Sequence, residues 1–280
     1  MSKKTILLIP LVIFFLLFLG LYLYLHKSLP TGKEGPEADA LARAVEKATH
    51  KKAWDKTLAL TWDFGGRYRH IWDRKRGYSQ VSWGQKGKES RVQFRTGDKK
   101  GLTWHHGKLV KGPQKKKLFT HAYTRWINDT FWLNPLAKLF SPGAKRYIVE
   151  EGKQKHLLIN YTKGGTTPGD WYMYYLDNHF LPTQWRLWVK VIPLSGVASS
   201  FEAWKTLPTG AKVSTKHKLI FMEISIRDLR GADSLNKLFK KDPFAELEKF
   251  LISKKSQETS LKKKLDPQPP RQKAPTTRPN

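Results

Sequence analysis

The chain opens on an apolar run, Ile6 to Leu25, interrupted only by Pro10 and Gly20. About twenty apolar residues are what an α-helix needs to cross the hydrocarbon core of a bilayer. Lys3 and Lys4 precede the run, and Tyr22 and Tyr24 stand where interfacial aromatics belong. A cleaved signal peptide has a shorter core and a small-x-small exit. The exit here is Tyr22-Leu-Tyr-Leu-His-Lys-Ser. Residues 1–26 are therefore expected to be an uncleaved single-pass anchor, an N-terminal transmembrane helix. The short N-terminal tail and export-like shape place the bulk of the chain outside the cytoplasm, in the periplasm or cell envelope. Pro and Gly make 27–36 a linker. Over 37–52 the period becomes helical, with Leu41, Ala44, Val45 and Ala48 on one face.

From 58 to 110 the period is that of strands. The stretches 58–64, 68–73, 78–83, 90–96 and 101–104 are separated by turn residues such as Gly65-Gly66, Gly77 and Gly97-Asp98. Short strands at that spacing read as an antiparallel meander. A second meander is expected over 147–150, 155–161, 171–176, 183–192, 197–204, 211–217 and 219–228. Within it, 171–176 and part of 185–189 are apolar or aromatic on both faces, so both faces must be covered. Thr167-Pro-Gly-Asp170 is a type II turn signature, with Pro at i+1 and Gly at i+2.

Between the meanders, 124–140 is the densest apolar stretch outside the N-terminus, holding Trp126, Ile127, Phe131, Trp132, Leu133, Leu136, Leu139 and Phe140. These are too many for one narrow stripe, so the helix must be covered on most sides. Asn134 before Pro135 is a helix start, since Pro in the first turn loses no hydrogen bond. Two helices follow, about 115–131 and 135–140. They are either core helices on a sheet or the roof of an apolar cavity. A short helix over 243–252 closes the domain. Residues 253–280, rich in Lys, Pro, Gln and Thr, are expected to be a disordered basic tail. The fold class is α+β, mostly β: a curved antiparallel sheet roofed by helices over 37–252.

Composition adds charge and removes chemistry. The net charge of the 280 residues is +29; residues 1–36 hold +3 and residues 251–280 hold +6, leaving +20 between. A basic folded part suits an anionic lipid or envelope polymer, or serves solubility. The absence of Cys excludes disulfides, thiol catalysis and Cys-ligated metals. No nucleophile elbow, phosphate loop, dinucleotide fingerprint or zinc-helix motif occurs. No enzyme, cofactor or metal is expected. His105 and His106 should point to opposite faces of a strand and so could not share an ion. His70 and Asp73 have helical spacing in a strand and should not pair. Lys163-Gly-Gly-Thr-Thr-Pro-Gly169 is either a plain loop or an anion-holding one.

The element order resembles the bacterial lipoprotein localisation factors, the LolA/LolB-like fold. Ile127-Asn-Asp-Thr-Phe-Trp-Leu133 followed by Ser141-Pro-Gly143 looks like the "NDTYWL…DPG" signature of an uncharacterised bacterial envelope family with that fold. Thr167-Pro-Gly-Asp170, Leu181-Pro-Thr-Gln-Trp185 and Leu207-Pro-Thr-Gly210 look like its later motifs. The resemblance covers roughly 40–230 and implies a sheet and helices around an apolar cavity. This chain departs from the soluble or lipid-anchored members in its membrane anchor and basic surface. The expected function is binding of a lipid, acyl chain or lipoprotein in that cavity. Its lining is expected to be Trp126, Phe131, Trp132, Leu136, Trp171, Met173, Trp185 and Trp188. Asn128 and Asp129 are either a polar gate or ties between helix ends and the sheet. The alternative is a non-enzymatic interaction or structural domain with a filled core, docking on anionic polymers or headgroups. Nucleic acid is a partner only if the topology is reversed.

Overall fold

The computed structural model describes residues 3–265 except 166 and 221, with no side chains described at 3–11, 18 and 261–265. The first helix, α1, runs Lys3–Leu25, roughly 34 Å at 1.5 Å per residue. Among the described residues no helix is long and apolar enough to cross a membrane, and the first part of α1 lies outside that test.

Two antiparallel sheets form instead of one curved sheet. The nine-stranded sheet contains the first meander: β2 (Ala59–Phe64), β3 (Tyr68–Asp73), β4 (Tyr78–Trp83), β5 (Ser90–Arg95), β6 (Gly101–His105) and β7 (Lys108–Leu109). It is completed beyond β2 by β13 (Glu202–Thr206), β14 (Lys212–Lys218) and β15 (Glu223–Ala232). The six-stranded sheet has β1 (Lys33–Glu34), β8 (Ala144–Glu151), β9 (Gln154–Tyr161), β10 (Asp170–Leu176), β11 (Pro182–Trp188) and β12 (Val197–Ser200). The stretch 197–204, expected to be one strand, is divided between the sheets. It leaves the smaller sheet after Ser200 and joins the larger one at Glu202. Ala203 takes a left-handed φ of 51° there. The pairing stays in register across it, with Glu202↔Lys216 and Trp204↔Ser214. His217 pins this corner through Nδ1 to the Ser200 carbonyl, 2.9 Å.

Helix α2 (Pro36–Ala48) buries Ala38, Ala42 and Val45, the last two in one core cluster with Leu157 and Ile159 of β9. The expected helix over 37–52 breaks at His50, which is left-handed (φ 56°), and α3 (Lys51–Lys56) follows. The 27–36 linker is a strap. The Trp188 indole donates to the Lys27 carbonyl at 2.9 Å, and β1 pairs with β8. Helix α5 runs Ala245–Leu265, so residues 253–265, expected to be disordered, are helical. Lys, Gln, Glu and Ser without Pro are compatible with helix, and Glu258 meets Lys100 at 2.6 Å. The rest of the expected tail, 266–280, lies outside the described residues.

The central helix α4 covers Gly112–Leu133, and Pro135–Lys138 forms a 3-10 turn. The break falls at Asn134, whose side chain accepts from the Ala137 N–H at 3.2 Å. Helical spacing gives α4 two working faces. Ala122 and Trp126 pack on Val81, Val92 and Phe94 of the larger sheet, while Trp132 packs with Tyr172, Trp185 and Leu187 of the smaller one. On the opposite face of the larger sheet, Leu247 and Leu251 of α5, and Phe244 just before it, pack on Tyr78. Period-2 alternation puts Tyr78 and Val81 on opposite faces, which is why β4 is buried on both.

Candidate functional site

A cavity of about 880 Å³ opens where the C-terminal half of α4 passes between the ends of the two sheets. Its apolar wall includes Phe64, Ile127, Phe131, Trp132, Tyr172, Leu187, Val189, Leu219 and Ile224. The floor is an aromatic stack. Phe131 lies 4.9 Å from Tyr172 and 6.0 Å from Trp185, centroid to centroid. Trp132 meets Trp185 edge-on at 4.9 Å. Tilted and edge-to-face geometry is what ring quadrupoles favour.

The register decides which aromatics reach this floor. Pairing of Trp171↔Trp188, Tyr172↔Leu187 and Tyr174↔Trp185 puts Tyr172, Tyr174, Trp185 and Leu187 on the inner face. Trp171, Met173 and Trp188 lie on the outer face, clustered with Val149 and Leu158. Of the expected lining, Phe131 and Trp132 border the cavity, and so does Asn128. Trp185 is fully buried beneath it, and Leu136 is core beside it. Trp126 faces the other way, edge-on to Trp72 and Phe94 at 5.9 and 5.6 Å.

Asp129 does not line the cavity. It is fully buried and accepts from His70 Nε2 at 2.9 Å and from Asn128 Nδ2 at 2.8 Å. Arg125 stands 3.6 Å away. His70 in turn stacks on Trp62 at 4.4 Å. The group ties α4 to β3, one of the two readings the sequence left open. His70 thus pairs with Asp129 rather than Asp73. The His105 and His106 rings do not diverge: His106 lies beyond the strand with φ 51°, and the rings stack at 3.8 Å. Among the described residues no group of three or more His, Asp or Glu is placed to hold a metal.

Polar atoms reach the cavity at a few places. Lys138, from the 3-10 turn, holds its ammonium 5.4 Å from the centre of the Phe131 ring and makes no ion pair among the described residues. Its crowded setting, through desolvation, lowers its pKa. The Tyr161 hydroxyl is buried beside that of Tyr174, and burial raises its pKa. Arg67, Arg125 and Lys163 also border the space, against Asp170 and Glu223. Asp170 is occupied. It accepts from Thr167 and Tyr172 and from the Lys190 N–H at 3.2 Å, so one buried carboxylate ties the 163–169 loop to the 189–196 loop. Gly169, with φ 100°, supplies the positive φ that the expected type II turn needs. Lys138 and Tyr161 were not singled out from the sequence. A lone Lys inside the apolar run 133–140 was the available signal for the first.

No protein-family model matches the chain, and no curated protein matches it. Among solved structures, a DUF1329 family protein from Desulfovibrio piger is similar over 69% of this chain and 92% of its own. The identity is 13% and the TM-score 0.35, and a likeness at that level says nothing about activity.

Proposed function

We infer that this chain is a membrane-anchored envelope protein that holds the acyl part of an anionic amphiphile in the cavity between its sheets. The observation that carries the reading is the cavity itself: an aromatic and aliphatic wall of binding-site size, with the ammonium of Lys138, in no ion pair among the described residues, beside it. Each methylene buried there contributes ~0.8 kcal/mol, and Lys138 supplies a partner for a carboxylate or phosphate head.

The test is titration of a fluorescent fatty acid, and of its neutral alcohol, into the chain from Lys27 to Leu265. Saturable uptake with loss of Trp emission is expected for both probes. Lys138→Met should weaken the fatty acid roughly tenfold to a hundredfold, the worth of a charge-assisted hydrogen bond, and leave the alcohol unchanged. Absence of saturable uptake would remove the cavity reading and favour a filled-core domain docking on anionic polymers or headgroups.

The anchor reading is supported by α1, which exposes large apolar side chains along its described length, among them Phe14 at 68% and Leu17 at 69%. A helix apolar all round belongs in a protein core or a bilayer. Protease added to spheroplasts should digest the domain. Protection there, with digestion after lysis, would place the domain in the cytoplasm and bring nucleic acid forward as the partner of its basic surface.

A further inference from the structure

The rim of the cavity carries apolar side chains that nothing among the described residues covers. Val191 is 72% exposed, and Met222 and Ile220 are 58% and 46% exposed. Val191 and Ile192 belong to the loop that follows β11, Ile220 and Met222 to the tight turn between β14 and β15, closed by the Leu219 N–H on the Met222 carbonyl at 2.8 Å. Residues from both loops line the cavity mouth. Three uncovered aliphatic side chains on adjacent tips of one opening differ from scattered surface residues, which need no explanation.

The position of the anchor says what covers them. The chain leaves α1 and enters the domain at Lys27, which is seated on the same loop as Val191. The Lys27 N–H donates to the Ser195 carbonyl at 3.0 Å, and its own carbonyl accepts from the Trp188 indole. Gly196 lies so close to Lys27 that an added Cβ would stand 2.7 Å from the Lys27 Cβ. The junction between anchor and domain is therefore fixed against the rim, not joined by a free tether.

Resting on the anchor and cavity readings above, we propose that Val191 and Ile192 of one tip and Ile220 and Met222 of the other insert into the bilayer that α1 spans, so that the cavity opens directly onto lipid. An acyl chain then enters from the membrane without crossing water. Lys163 and Lys190 beside the mouth suit anionic headgroups. Insertion of this kind buries apolar side chains ~5–10 Å into the boundary between headgroups and acyl chains.

The chain contains no Cys, so single-Cys reporters need no background removal. Val191→Cys and Met222→Cys would be labelled with a polarity-sensitive fluorophore in the full chain, reconstituted into phosphatidylglycerol-containing vesicles. Lys75→Cys, on the exposed turn between β3 and β4 at the opposite end of the larger sheet, is the aqueous control. Labels at 191 and 222 should shift to the blue, lose quenching by iodide and gain quenching by brominated lipid, while the label at 75 keeps iodide quenching. Iodide quenching at 191 and 222 equal to that at 75 would overturn the proposal, and so would shielding from iodide and lipid alike, which means a protein covers the rim. Failure of the chain to float with vesicles would overturn it through the anchor. Loss of fatty-acid uptake with the labels still in lipid would instead retire the cavity reading and leave the docking surface standing.

Discussion

Replacement of Trp185 by alanine is expected to cost about 3–5 kcal/mol of folding stability, the range for deleting a large aromatic from a core. Trp185 is fully buried. Its ring centre lies within 6.2 Å of Phe131, Trp132, Tyr172, Tyr174, Phe201 and His217, so it joins α4, the smaller sheet and the corner at Phe201. The space it leaves adjoins the cavity, and the floor above it loses its support. Part of the cost is the lost burial and part is the void, since neighbours relax only partly. Urea unfolding of the chain from Lys27 to Leu265 measures it. Val191→Ala, at a site 72% exposed, should change stability by less than about 0.5 kcal/mol. A Trp185→Ala loss below about 1 kcal/mol would mean that the sheets are not held together through this residue.

Acid should destabilise the fold through His217. Burial pushes its pKa from the ordinary 6.5 down to about 4, against the opposing backbone hydrogen bonds at Ser200 and Trp132. Its ring lies beside the Trp132 and Phe201 rings at 5.4 and 5.1 Å. The folded pKa lies below the unfolded one, so between them the unfolded chain binds more protons and stability falls as pH falls. Well above pH 6.5 His217 contributes nothing to the pH dependence. From there down to about pH 4 the loss accumulates to about 3 kcal/mol. His217→Gln keeps an amide donor for Ser200 and removes the titration. The variant should be less stable than the parent at pH 7, and the gap should narrow or reverse by pH 4. Carboxylates titrate alike in both chains and drop out of the difference. Parallel stability curves from pH 7 to pH 4 would show that His217 gains water access when it protonates.

Local signals were legible where one period or one turn residue decides the backbone. The strands Tyr68–Asp73 and Tyr78–Trp83 lie where alternation and Gly turns place them. The helix break at Asn134-Pro135 is found at the expected residue because Pro cannot sit inside a helix without losing a hydrogen bond. The site was legible only in part. Phe131, Trp132 and Asn128 come from α4, where a dense apolar run already implied cover on more than one side. Trp171, Met173 and Trp188 were grouped with them because both faces of those strands are apolar, and composition cannot say which face meets which neighbour. One residue of register moves every side chain to the other face.

Most strands and the central helix, the Gly turns, the basic charge and the absence of thiol chemistry were readable along the chain alone. These rest on interactions a few residues long or on simple sums over the chain. The tertiary structure alone decided the division into two sheets at the Phe201 corner, the strap that fixes Lys27 to the cavity rim, and the pairing of His70 with Asp129. It also decided that Lys138 meets the cavity wall at Phe131. Each of these depends on groups brought together from distant parts of the chain, and their energies are set by burial and register, which no local pattern of hydrophobic and polar residues encodes.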